Sequence, residues 1–281
     1  MSPADVAARL VAIAGVRAVV LGGSRARGDA APDSDVDLGL YYDPASPPSR
    51  DALNTLAREL DDRRPIDAVT GYGEWGPWIN GGAWLTIDGT RVDWLFKDLA
   101  RIRRVVAECR AGRPEVAYQL GHPHAFVSAI YLGEIDCCVP LADPDGLMPE
   151  LKALVRPYPA LLRDTLVQRF LFEADFSLDG AEKGAARGDV VYVAGCVYRT
   201  IAALVQVLHA VNERYCTNEK GALRAVAGFA HVPDAFAETA ARLLGAPGTT
   251  PTTLGATIAA TRTLSAAVRS VAAGPAAPYP T

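Results

Sequence analysis

The chain is short of cysteine, of net positive charge and of long uninterrupted apolar runs, and each shortage removes a class of function. Its five cysteines, Cys109, Cys137, Cys138, Cys196 and Cys216, form no CxxC pair and have no histidine at zinc-ligand spacing. Their number is odd and Cys137 adjoins Cys138, so a disulfide scaffold is excluded and reduced thiols in a cytoplasmic protein are expected. Basic residues number 28 against 32 acidic ones, a net charge of −4, which is the wrong sign for a general nucleic-acid coat or a polybasic membrane binder. The most apolar stretch, Val190 to Val211, is interrupted by Arg199, Gln206 and His209 and reads as a buried helix, so no membrane partner is expected. Met-Ser-Pro-Ala-Asp-Val at the start lacks the basic and apolar regions of a signal peptide. Gly22-Gly-Ser-Arg lacks the GK[ST] of a Walker A loop, and Gly23 to Gly28 does not supply G-x-G-x-x-G, so two common nucleotide folds drop out.

What remains is a 281-residue chain, half hydrophobic and 21% charged, with enough length for two domains. Ser2-Pro3 predicts a helix start, and the β-branched run Val16 to Leu21 predicts a strand that stops at Gly22-Gly23-Ser24. A second strand is expected over Asp35 to Tyr41, with Val36, Leu38 and Leu40 on one face and Asp35, Asp37 and Gly39 on the other. A helix near 50–63, a short strand at Asp67 to Thr70 and a Gly/Trp loop from Gly71 to Gly82 follow. Asp88-Gly89 marks a hairpin between Ala83–Ile87 and Arg91–Phe96, ahead of a basic helix at about 98–111 and a strand at Cys137 to Ala142. From Leu147 the pattern turns helical, with long segments at 158–183 and 188–213 broken at Arg187-Gly188, then shorter ones near 219–229, 233–244 and 250–272. The expected division is a mixed-sheet α/β (α+β) catalytic domain over 1–150, an all-α domain over 151–272 and a loose tail over 273–281.

The chemistry is concentrated in Leu21-Gly-Gly-Ser-Arg-Ala-Arg-Gly-Asp-Ala-Ala-Pro-Asp-Ser-Asp-Val-Asp-Leu. Glycines in a strand-to-helix turn let backbone N–H groups converge on an anion, and Ser24 adds a hydroxyl donor beside Gly23. Asp35 and Asp37, two apart on a strand, project together; adjacent carboxylates repel unless a divalent cation neutralises them. Asp93, after the Asp88-Gly89 turn, shares its face with Arg91 and Leu95 and is the candidate third acid of a two-metal site.

Gly23-Ser24, the trailing Arg-Ala-Arg-Gly28 and Ser34-Asp35-Val-Asp37-Leu resemble the signature of the DNA polymerase beta-type nucleotidyltransferase superfamily, and within it the small bacterial aminoglycoside and lincosamide nucleotidyltransferases. The resemblance implies Mg²⁺ held by Asp35, Asp37 and Asp93, and a nucleoside triphosphate held by Gly23, Ser24 and Arg27. It implies transfer of a nucleoside monophosphate, most simply AMP from ATP, to a hydroxyl of a small-molecule acceptor, with release of pyrophosphate. The mild acidity suits a cationic acceptor such as an aminoglycoside-like antibiotic. By the same resemblance Lys220, with Tyr215 and Asn218 beside it, is the candidate from the helical half to reach the triphosphate; a solvated helix cap is the competing reading.

Alternatives stay open at this stage. Asp93 and Glu74 both qualify as general base, and the tryptophans Trp75, Trp78 and Trp84 either line the acceptor site or pack the hairpin. His122 and His124 read as structural, having no carboxylate pattern near them in sequence. Arg101, Arg103, Arg104 and Arg110 read as a solvated helix face, with tRNA as the nucleic-acid partner left open. A toxin–antitoxin type nucleotidyltransferase acting on protein or tRNA, and a catalytically silent nucleotide-binding regulator, are the other functions the motifs allow.

Overall fold

Ser2 and Pro3 open the first helix as expected, α1 (Pro3–Val11): the Ser2 hydroxyl accepts from the Asp5 amide, and the Asp5 carboxylate accepts from the Ser2 amide. The computed structural model describes residues 1–274, and these fall into two units. One comprises Met1–Glu108 and Ser128–Pro157; the other comprises Cys109–Val127 and the chain from Tyr158 onward. The tail expected at 273–281 lies, from residue 275, outside the described residues.

In the first unit β1 (Val16–Leu21), α2 (Gly23–Arg27), β2 (Val36–Tyr42) and α3 (Arg50–Leu60) are followed by the hairpin β3 (Gly82–Ile87) and β4 (Thr90–Asp98). Asp88 and Gly89 both take positive φ, 49° and 73°, as a two-residue hairpin turn requires. α4 (Leu99–Arg110) leaves this unit, and after the short pair β5 (Val116–Ala117) and β6 (Phe126–Val127) the chain supplies α5 (Ile130–Cys137), β7 (Val139–Ala142) and α6 (Leu147–Val155). The sheet order is β3-β4-β2-β1-β7; only β2 and β4 pair in parallel, and the other neighbours are antiparallel. The mixed sheet and the helical remainder are the fold class read from the sequence.

Alternation decides which face of the sheet is buried. Leu38 and Leu40 of β2, Trp94 and Phe96 of β4 and Leu85 of β3 form one core with Val6 and Leu10 of α1 and Leu53 and Leu56 of α3. The opposite face carries Asp37, Gly39 and Tyr41 on β2, with Asp93, Leu95 and Lys97 on β4. At one end of it Glu134 of α5 is paired with Lys97 at 2.7 Å, and Tyr41 is fully buried.

Three expectations are corrected. The stretch from Asp67 to Thr70 is not a strand. Asn54 takes its backbone through bonds from the Ala68 and Val69 amides, both 2.9 Å, and Arg50 Nε donates to the Val69 carbonyl at 2.7 Å. Side chains of α3 thus replace the ladder bonds that a neighbouring strand would supply. The strand expected from Cys137 begins at Val139, because Cys137 closes α5. Asp35 lies just ahead of β2 rather than within it.

The second unit is built on α7 (Ala160–Ala185) and α8 (Val190–Val211), with α9 (Ala222–Val226), α10 (Phe236–Gly245) and α11 (Pro251–Ala272). The break between α7 and α8 falls at Gly188, whose φ is +69°. By length and composition α8 passes as a membrane-crossing helix, yet Val193, Val197, Ile201, Leu204 and Leu208 are buried within the unit, as in a core helix. Its five cysteines considered together, the chain has only free thiols.

Candidate active site

β2 and β4 bring the acids together. In their parallel register Asp37 stands directly beside Asp93, so the two side chains leave the same sheet face on adjacent strands. Gly22, at the end of β1, donates its amide to the Asp37 carbonyl at 2.8 Å, which seats the start of α2 on the same edge. Gly23 then takes φ +59°, and a Cβ there would stand 1.7 Å from Asp37 Oδ2. Only glycine lets the backbone lie against that carboxylate. Ser24 follows in the first turn of α2.

The two carboxylates are uncomfortable together. Burial pushes Asp37 above the usual carboxylate range, and repulsion from Asp35 and Glu134 adds to it against the pull of Lys97 and Arg27. Burial also raises Asp93, with Asp37 and Asp35 adding repulsion and Arg91 opposing, to about 6. Asp35 is engaged differently. Its Oδ1 is out of solvent and ion-paired with Arg91 Nε without hydrogen-bond geometry, while Arg91 also donates to the Asp33 carbonyl at 2.8 Å. Arg25 holds the same loop by donating to the carbonyls of Ser34 and Asp35, and Arg27 pairs with Asp29 at 3.2 Å.

The cation implied by the resemblance fits Asp37 and Asp93. Two hard oxygen donors, each raised by burial and by neighbouring carboxylates, gain from a divalent ion that offsets both penalties. Among the described residues no three His, Cys, Asp or Glu side chains are gathered as a ready ligand set, and Asp35 is paired with Arg91.

Lys97 and Glu134 went unnoticed in the sequence. Lys97 is largely shielded from solvent, and although burial opposes its charge, Glu134 outweighs that and holds the ammonium above its ordinary range. It forms a cationic end to the acid face, four residues along β4 from Asp93. The signal was the i, i+2, i+4 alternation Asp93, Leu95, Lys97.

The Glu74 carboxylate folds over its own turn, where a Cβ on Gly71 would meet Oε1 at 2.6 Å. Lys220 belongs to the other unit. It is exposed, just ahead of the α9 cap residue Gly221, and its amide donates to Asn218 Oδ1 at 2.9 Å. Tyr215 stacks on Tyr158 at 4.5 Å within that unit. On α4, Arg101 donates to the Pro77 carbonyl and Arg103 pairs with Glu150, both inside the first unit, so these two are not a free basic stripe.

His122 and His124, which have no carboxylate pattern near them in sequence, meet carboxylates from distant positions instead. His124 Nε2 lies 2.8 Å from Glu173, which Arg199 also contacts at 2.7 Å, and Glu219 accepts from the amides of His124 and Ala125. Their structural role in the second unit stands on that network.

Residues 5–78 match the family model described as the nucleotidyltransferase domain. Over that stretch the kinship is with nucleotidyltransferases. The match spans the Gly22-Gly23-Ser24 turn and the Asp35/Asp37 pair, and it supports nucleotidyl transfer as the general activity. A solved nucleotidyltransferase-like protein from Exiguobacterium sibiricum is similar at 11% identity and TM-score 0.46, over 94% of this chain and 73% of its own. A search of curated proteins returned no match.

Proposed function

We propose that the chain is a Mg²⁺-dependent nucleotidyltransferase that moves a nucleoside monophosphate, most simply AMP from ATP, onto a hydroxyl of a small-molecule acceptor in the cytoplasm. The observation that carries this reading is the side-by-side register of Asp37 and Asp93 with the Gly23 backbone against Asp37. Gly23 and Ser24 bind the triphosphate, with Arg27 as a further cationic contact. Asp37 and Asp93 would hold Mg²⁺, with Asp35 as a further candidate ligand now paired with Arg91, and the ion would supply charge neutralisation at the phosphates.

The acceptor oxygen forms a bond to the α-phosphorus as the bond from that phosphorus to the bridging oxygen breaks, and pyrophosphate leaves. The hydroxyl proton would pass to Asp93, the carboxylate that stands beside Asp37 on the same sheet face. An amine-bearing acceptor of the aminoglycoside kind suits the acidic surroundings.

The test is incubation of the intact protein with α-phosphate-labelled nucleoside triphosphates, Mg²⁺ and panels of antibiotics, tRNA and cell proteins. Labelled small-molecule product with stoichiometric pyrophosphate is expected, and Asp93→Asn should slow its formation by roughly 10²–10⁴-fold. Label on protein or tRNA moves the function to the toxin-type alternative. No product with any acceptor, with nucleotide still bound, makes the chain a silent nucleotide-binding regulator.

A further inference from the structure

The Asp88-Gly89 turn does more than close a hairpin: it places Trp84 of β3 directly opposite Asp93 of β4. Opposed residues on neighbouring strands share a face, so Trp84, Asp93 and Asp37 form one row across three strands, at about 4.8 Å per step. Trp84 is 62% exposed, although Trp94 of the same hairpin is fully buried in the core beneath. Trp75, from the Gly/Trp loop, stacks on it with ring centroids 4.5 Å apart and 15° between the planes. The loop that carries Trp75 is itself pinned, Gly76 donating to the Gly73 carbonyl and Thr70 to the Gly82 carbonyl. An indole braced in this way keeps its orientation and loses little freedom when a ligand covers it.

We propose that the Trp84 indole, braced by Trp75, is the platform that receives the acceptor, and that it selects a molecule with a flat ring face and a hydroxyl at the ring's edge. This rests on the transferase reading above and deepens it. A ring laid on Trp84 has its edge one strand away from Asp93, where the hydroxyl proton is to be taken, and two from Asp37. An open-chain polyol offers the same hydroxyls but no face for the indole, and a flexible side chain offers neither face nor fixed edge. Stacking of a ring on an aromatic side chain is favourable across many ring types. The platform therefore fixes the shape of the acceptor and leaves its substituents open.

The experiment uses the full chain without nucleotide, titrated with phenyl β-glucoside as the ring-bearing hydroxyl probe and sorbitol as the open-chain control, with binding read by isothermal titration calorimetry. Saturable binding of the glucoside and none of sorbitol is expected. The response should vanish in Trp84→Ala and persist in Trp84→Phe, which keeps a ring at this exposed position. A response unchanged in Trp84→Ala, an equal response to sorbitol, or none to the glucoside overturns the proposal.

With whichever acceptor gives product in the screen above, Trp84→Ala should raise KM roughly 10- to 100-fold while kcat moves little. A loss confined to kcat contradicts a platform role. The two readings fail separately. Ring-selective, Trp84-dependent binding without pyrophosphate release leaves the platform and removes the transferase; turnover that is indifferent to Trp84 does the reverse.

Discussion

Carboxylates are gathered in both units, and the two units treat them in opposite ways. On the sheet of the first, Asp37 and Asp93 stand side by side and burial raises both. In the helical unit, burial alone would raise Glu173, but His124 and Arg199 outweigh it and bring the carboxyl below its usual range. Glu219 accepts from two backbone amides, at 2.9 and 3.1 Å, and from the Tyr198 hydroxyl at 3.0 Å. Acids whose partners are already in place belong to the architecture. Acids raised by burial and by neighbouring carboxylates at a half-open sheet face lack such partners within the sheet and would gain from a cation.

The comparison breaks if the two sets respond alike to mutation. The largest effect is expected for Asp93→Asn, an isosteric change that removes the proposed base and one carboxylate oxygen: the rate of pyrophosphate release should fall by roughly 10²–10⁴-fold with the fold intact. Circular dichroism and the rate measured on one preparation check both halves. Next in size is Glu219→Ala in the helical unit. It leaves the His124 and Ala125 amides without their acceptor, and a loss of about 2–3 kcal/mol in urea unfolding is expected. A Glu219→Ala protein of unchanged stability would mean that its bonds are replaced by water and that the two acid sets differ less than their surroundings indicate.

The sign of the pH response sharpens the same contrast. Asp93 has a folded-state pKa of about 6 against 3.8 unfolded, so the native state binds the extra proton between those values and its contribution to stability is lost as pH rises through about 6. Asp93→Asn should therefore melt higher than wild type at pH 7, by roughly 2–4 °C once solvent screening of this half-exposed group is allowed for, and the gap should close below pH 4. Glu173 runs the other way: with its folded pKa lowered from 4.5, its contribution is present above that value and lost as pH falls through the folded pKa. Glu173→Gln should accordingly melt lower than wild type at pH 7. Calorimetric scans from pH 4 to 7.5 with and without Mg²⁺ read both, and Mg²⁺ should shrink the Asp93→Asn advantage by stabilising wild type.

The acid face was legible in the sequence because its parts are local or fixed by short turns. Gly23, Asp35 and Asp37 lie within one strand-turn-strand stretch, and Asp93 follows a two-residue hairpin turn. The same turn also fixes Trp84 against Asp93, since pairing Ile87 with Thr90 counts back to that pair. That register was there to be counted. The helical acids were not legible: Glu173 and Glu219 meet His124 across 49 and 95 positions, and no periodicity or turn connects those positions. The false strand at Asp67–Thr70 has the same origin, because apolar Val69 is buried as a strand residue would be, while its backbone is held by Asn54 and Arg50. Burial pattern can be read from residue type; which partner satisfies a backbone amide depends on tertiary placement.

The smallest expected effect concerns the one acid that behaves differently from its neighbours. Asp35 is held by Arg91, an arrangement like that of Glu173 with Arg199, yet it sits beside Asp37. A cation that recruits Asp35 must displace Arg91, and the pair is solvent-exposed enough that breaking it costs about 0.2–1 kcal/mol. Arg91→Ala removes that competition, so half-saturation by Mg²⁺ should fall by roughly 1.5- to 5-fold, measured by calorimetric titration of the nucleotide-bound protein. Arg91 also ties the Asp33 carbonyl, and this makes the opposite outcome informative. A rise in half-saturation would mean that the arginine positions the loop bearing Asp35 more than it withholds its carboxylate, and Asp35 would then belong with the satisfied acids of the helical unit rather than with Asp37 and Asp93.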